Sequence, residues 1–159
     1  MRAVVQRVNR ATLSVVEADV ERPHAEIGAG LVVLVGIEQD DGEADLAWMA
    51  RKLPHLRIFK DEDDKMNRSA VNLVGDGADE PGVLLVPNFT VAGRAHKGRR
   101  PDFTTAKAPR EASAMFDRLA MMVAAEAPGV QVVTGVFGAH MHVDLVNEGP
   151  VTIWLDSRA

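Results

Sequence analysis

The chain has 159 residues, 47% of them hydrophobic, and a formal net charge of −5. That is enough apolar content for one core without staples, so a single domain over residues 1–159 is expected. The absence of cysteine excludes a disulfide framework, a thiolate zinc site and a thiol nucleophile. Net acidity excludes a protein that coats DNA or other long nucleic acid, which takes many phosphate contacts, but leaves room for contact with one RNA end.

The opening MRAVVQRVNR sets Arg2, Arg7 and Arg10 among its apolar residues, which suits neither a signal peptide nor a membrane span. A soluble, cytoplasmic protein without membrane association is predicted. Residues 3–8, 12–20 and 31–37 are short runs rich in Val, Leu, Ile and Thr, and read as strands. Residues 43–53 carry apolar side chains at 46, 49, 50 and 53, the spacing of a helix that Pro54 should end. The stretch 61–82 is irregular and acidic. Its Asp61-Glu62-Asp63-Asp64 resembles the start of a calcium loop, but glycine is missing from the sixth position and Asn72 stands at the twelfth, so a solvated turn is expected.

Residues 83–86 read as a strand, and 91–108 as a second irregular stretch. Arg94, His96, Lys97, Arg99 and Arg100 fall there within seven positions, a local positive loop on an acidic body. Residues 110–127 have apolar positions at 112, 115, 116, 119, 122 and 123; this helix opens after Pro109 and closes before Pro128-Gly129. Strands follow at 130–136, 141–146 and 151–155. Asn147-Glu148-Gly149-Pro150 between the last two reads, on local grounds, as a tight turn. Sheet dominates, with two principal helices.

No GxSxG, HExxH or GxxxxGK[ST] motif is present, which withdraws the usual sequence support for a serine hydrolase of that type, a zincin or a P-loop enzyme. Thr90 and Thr152 offer hydroxyls without a base adjacent in sequence. On a strand, His140, His142 and Asp144 would share one face and could chelate a divalent metal, but a solvated polar face is the plainer reading. No metal or cofactor is therefore assigned.

Six collinear segments resemble the D-aminoacyl-tRNA deacylase family: MRAVVQRV at 1–8, IGAGLVVLVGIE at 27–38, ARKLPHLRIFKDEDDKMNRS at 50–69, a diverged VPNFTVAG at 86–93, GRAHKGRRPDF at 93–103 and FGAHMHVDLVNEGPVTIWLDS at 137–157. Together they span nearly the whole chain. The resemblance implies an α+β fold, mainly an antiparallel barrel-like sheet with two helices, and a homodimer. It further implies hydrolysis of the ester joining a D-amino acid to the 3′-terminal adenosine of tRNA.

The family signature NxGPxT is here Asn147, Gly149, Pro150 and Thr152, with a cis Gly149–Pro150 bond that the resemblance carries into the other subunit's site. Its carbonyls would hold the substrate α-amino group and occupy the space of an L side chain, which admits D-residues and glycine. Arg7 matches an arginine packed beside that pair. The family's usual Ser-Gln-Phe-Thr is replaced by Pro87-Asn88-Phe89-Thr90, a departure shared at its first position with a branch that edits other mischarged tRNAs. The oxyanion donor is expected to be the Phe89 amide, with the Asn88 amide second, while Thr90 orients a polar neighbour and is not the nucleophile. The ribose 2′-OH of the substrate is expected to assist. Met141 and the loop from Lys97 to Phe103, with Arg99, Arg100 and then Ala106, match positions around the adenosine end. Three other readings remain open: an editing enzyme for L-residues or glycine, a metal-dependent esterase on His140, His142 and Asp144, and a tRNA-end binder without turnover.

Overall fold

The computed structural model describes residues 1–75, 80–96 and 98–159. Strand β1 (Arg2–Glu17) is continuous where the sequence predicts two strands. Asn9 and Arg10, which looked like an interruption, are exposed residues at which the strand changes partners. Arg2 to Val8 pair antiparallel with β3 (Gly30–Gly36), while Ala11 to Glu17 pair antiparallel with β2 (Val20–Ile27). β2 escapes the sequence reading because VERPHAEI lacks an apolar rhythm. It is an edge strand, where Pro23 costs no central ladder bond, and its register slips between Leu13 and Ser14. Ala18 and Asp19 make the intervening turn with positive φ.

Helix α1 (Glu43–Lys52) buries Leu46, Met49 and Ala50, and Leu53 caps it just before Pro54. A small ladder of β4 (Phe59–Lys60) and β5 (Met66–Arg68) follows, around a turn in which the Asp61 carboxylate accepts from the Asp63 and Lys65 amides. β6 (Gly82–Pro87) runs parallel to β3 and to β7 (Gln131–Thr134), with α2 (Pro109–Glu126) connecting β6 to β7. β8 (His140–Asp156) returns antiparallel along the whole of β1. The fold is α+β with two helices and a barrel-like sheet, as expected, but the sheet is mixed: all the β1 pairings are antiparallel and the two β6 pairings parallel.

The central strands β3 and β6 are apolar at nearly every position because both their faces are covered. Leu31, Val33, Val35, Val83 and Leu85 face the helices, against Phe116, Leu119 and Val123 of α2 and Leu46 and Met49 of α1. Val32, Leu84 and Val86 face the other way, against Leu13, Val15 and Ile27. Each large side chain buried this way contributes about 1.5–3 kcal/mol. β3 and β6 begin at Gly30 and Gly82, which lie opposite one another; a Cβ on Gly30 would stand 1.9 Å from the Gly82 carbonyl oxygen. At the far end of β1, the buried Met1 ammonium donates to Asp41 at 2.5 Å and to the Ser157 hydroxyl at 2.8 Å, and Ser157 donates in turn to Asp45. This polar knot joins β1, α1 and the end of β8. No helix among the described residues is long and apolar enough to cross a membrane.

Candidate active site

β6 ends at Pro87, and the chain turns sharply through a 3-10 turn at Phe89–Ala92. Asn88 caps that turn: its side-chain oxygen accepts from the Thr90 amide at 3.1 Å and from the Thr90 hydroxyl at 2.5 Å. Its own amide makes the last bond to β3, donating to the Val35 carbonyl at 2.8 Å. Pro87 has no N–H. Of the four backbone positions from Pro87 to Thr90, only Phe89 therefore keeps a donor without a protein partner among the described residues. The Asn88 amide, the second donor expected from the sequence, is consumed by the sheet.

Phe89 stands between two adjoining clefts. The larger, about 470 Å³, is apolar and has Phe103, Ala106, Phe116 and Phe137 in its walls. The second, about 400 Å³, is walled by Leu34, His140, Met141 and Val143, and shares Pro87, Asn88, Phe89, Phe137 and Gly138 with the first. Phe89 is 59% exposed and meets Phe103 edge to face, ring centroids 5.1 Å apart. Gly93 makes room for that ring, since a Cβ there would come within 2.7 Å of it. Met141 is held in place by the Val136 amide, which donates to its sulfur.

Asn88, Phe89, Phe103, Ala106 and Met141 thus come together, and Thr90 adjoins them. Arg99 and Arg100 do not line either cleft. They lie exposed on an excursion closed at its base by paired backbone bonds between Arg94 and Asp102. Lys97 lies outside the described residues. Phe137 and Gly138, shared by both clefts, belong to a segment read for its resemblance but were not singled out; an aromatic followed by glycine before a strand was the available signal.

The remaining expected residues gather elsewhere. On β8 the run 147–150 is not a tight turn between strands but a bulge within one strand. Gln6 pairs with Thr152 and Val8 with Asn147, so Arg7 alone faces residues 148–151. Gly149 has φ +137°, a conformation that L side chains rarely adopt, and Gly149–Pro150 is cis. Arg7 is 3% exposed rather than a surface arginine. Its guanidinium donates to the Glu148 carbonyl at 3.3 Å and to the Ile58 carbonyl, and pairs with the Glu148 carboxylate. Arg7, Asn147, Gly149, Pro150 and Thr152 line neither cleft of their own chain, and Gly149, Pro150 and Thr152 are exposed.

His140, His142 and Asp144 do share the solvent face of β8. The two imidazoles lie 5.2 Å apart edge to face, and His142 Nδ1 sits 3.2 Å from Glu21 of β2. That contact holds the Glu21 carboxyl below its usual range. Among the described residues no group of three or more histidines and carboxylates is arranged to hold a metal.

The chain thus carries an aromatic-walled cleft beside an unpartnered backbone amide, and a separate exposed Gly–Pro bulge. Residues 4–156 match the D-Tyr-tRNA(Tyr) deacylase family, and the chain belongs to it. It is 47% identical over 157 residues to the D-aminoacyl-tRNA deacylase of Chlorobaculum parvum, covering 99% of this chain and 98% of that one. A solved structure of the c-Myc DNA Unwinding Element Binding Protein is 34% identical, covers all of both chains and superposes with a TM-score of 0.87. A second, of a probable eukaryotic D-amino acid tRNA deacylase, shares the fold with a TM-score of 0.76 at 22% identity, over 97% of each chain.

Proposed function

We propose that this protein is a D-aminoacyl-tRNA deacylase, a hydrolase that cleaves the ester between a D-amino acid and the 3′-terminal adenosine of tRNA. Family membership supports the reaction class. The observation that carries the mechanism is the unpartnered Phe89 amide between the two clefts.

Water adds to the ester carbonyl carbon, and the oxygen that becomes negative takes a hydrogen bond from Phe89 N–H. Collapse of that tetrahedral species releases the 3′-oxygen of the ribose, which takes a proton with help from the neighbouring 2′-OH of the substrate. The products are the free D-amino acid and tRNA with its 3′-hydroxyl restored. An activated ester needs orientation and oxyanion stabilisation more than a strong nucleophile, and one such donor supplies about 3–4 kcal/mol. The Thr90 hydroxyl is turned onto Asn88 and serves the turn. Phe103, Ala106 and Met141 offer the walls against which the terminal adenosine lies, with Arg99, Arg100 and Lys97 available to the adjacent phosphates.

Chirality is assigned to the Gly149 and Pro150 carbonyls, which accept from the α-amino group and occupy the space an L side chain needs. Glycine, lacking a side chain, is admitted. Two features support action from a second copy of the chain: the bulge is exposed, and it lies at neither cleft of its own subunit. A cytoplasmic homodimer is the corresponding assembly, with Asn147 and Thr152 flanking the pair and Arg7 fixing it from beneath.

The mechanism is tested by Phe89→Pro against Phe89→Ala. Both lose the ring, but only proline loses the N–H. Asn88 is already extended at φ −145° and ψ 94°, as a residue before proline requires. The expected result is a kcat for the proline variant about 10²–10³ lower than for the alanine variant. Equal activities would remove Phe89 N–H from the reaction.

A further inference from the structure

Away from the clefts, the end of α1 and the segment after it build a groove of about 530 Å³ lined by Trp48, Arg51, Lys52, His55, Leu56 and Arg57. No carboxylate lines it, although the chain as a whole is acidic. Arg51, Lys52, His55 and Arg57 are exposed, and among the described residues none makes an ion pair. The free cations are nevertheless held in place. Arg51 donates to the Ala47 carbonyl one helical turn back, and Lys52 lies over the Trp48 ring, 5.7 Å from its centroid. Arg57 is fixed to the Asn67 backbone carbonyl at 2.7 Å and to the Asn67 side chain.

Ordered cations without counter-charges, beside an aromatic ring and in an acidic protein, are suited to a polyanion of regular spacing. The chain leads from the groove to the support of the Gly–Pro bulge. Arg57 precedes Ile58, whose carbonyl accepts from Arg7, and a Cβ on Gly149 would lie 3.3 Å from the Arg7 guanidinium.

We propose that this groove binds the phosphate backbone of the tRNA acceptor stem, taking the duplex as the 3′ end enters the site that the bulge completes. The inference rests on the deacylase reading above, in which the cleft and the cations beside it take the terminal nucleotide and its adjacent phosphates and leave the stem without a partner. The cations contact phosphates, so binding at the groove is independent of base sequence and weakens with salt.

The test is the double variant Arg51→Gln and Lys52→Gln, which keeps good helix formers and leaves Arg57 on Asn67. Binding of deacylated tRNA is measured between 50 and 200 mM salt, and turnover is measured on D-Tyr-tRNA and on D-tyrosyl-adenosine, which has no stem. Loss of two phosphate contacts should flatten the slope of log K against log salt by about 2 and weaken binding on the order of tenfold. KM for D-Tyr-tRNA should rise with kcat retained, and D-tyrosyl-adenosine turnover should not change. Unchanged tRNA binding would overturn the proposal, as would equal losses on both substrates. If the parent protein cleaves neither ester, the deacylase reading fails, while the binding slope still decides whether the groove takes tRNA.

Discussion

Arg7 stands alone on β1 opposite four residues of β8, and its guanidinium fills the gap that this mismatch opens. Arg7→Ala would leave the Glu148 and Ile58 carbonyls without their donor and the bulge without its support. Unpaired buried acceptors cost about 1–3 kcal/mol. The expected outcome is a stability loss of that size by urea denaturation, together with a larger loss of D-Tyr-tRNA turnover than the lost stability explains. Normal turnover would show that the bulge keeps its shape unaided. Phe89 shows where sequence reading stops at this scale: the residue was identifiable, but whether its neighbours' amides were free depended on the partner strand. Nothing local marks Asn88 N–H as bound to Val35, whereas Asn88 Oδ1 accepting from the amide two residues on is ordinary capping chemistry.

At the scale of elements, both helices were legible because each buries one stripe, and the apolar runs of β3 and β6 announced strands covered on both faces. β2 was hidden because an edge strand needs no apolar rhythm, and the 147–150 bulge because Gly-Pro after Asn-Glu has turn chemistry. Only pairing with β1 makes it a bulge. The knot joining β1, α1 and β8 carries a pH dependence. Burial pushes the Asp45 carboxyl up, but the Ser157 hydroxyl, the Gly42 amide, the Met1 ammonium and Arg158 together hold it below its ordinary 3.8. Asp156 is held below 3.8 likewise: burial opposes, while the Arg158 amide and the Arg2 guanidinium prevail. A carboxyl depressed by folding stabilises the native state above its unfolded pKa, and that stability is lost as pH falls through the folded value. The urea midpoint should therefore hold its contribution from these groups above about pH 4 and lose it below 3.8. Asp45→Asn should make the acid decline shallower, and an unchanged decline would remove Asp45 as a contributor.

At the scale of the whole molecule, the chain is acidic, yet it sets some of its cations in local groups: Arg94, Arg99 and Arg100 on one excursion, and Arg51, Lys52 and Arg57 at the groove after α1. That distribution suits a protein that handles one end of an RNA rather than its length. Net charge indicated this from the sequence, but the groove did not stand out there, because Trp48 and Arg57 are brought together only by the chain's turn after Leu53. The proposed mechanism divides the labour between a cleft on one part of the chain and an exposed Gly–Pro bulge on another. In that proposed mechanism, chirality becomes a property of backbone shape. The most direct measurement is hydrolysis of matched D-Tyr-tRNA, L-Tyr-tRNA and Gly-tRNA by the purified protein, with and without EDTA. Rapid loss of the D-Tyr and Gly esters, with L-Tyr-tRNA intact and no effect of EDTA, is the predicted result. Hydrolysis of L-Tyr-tRNA at a comparable rate, or turnover abolished by chelation, would contradict it.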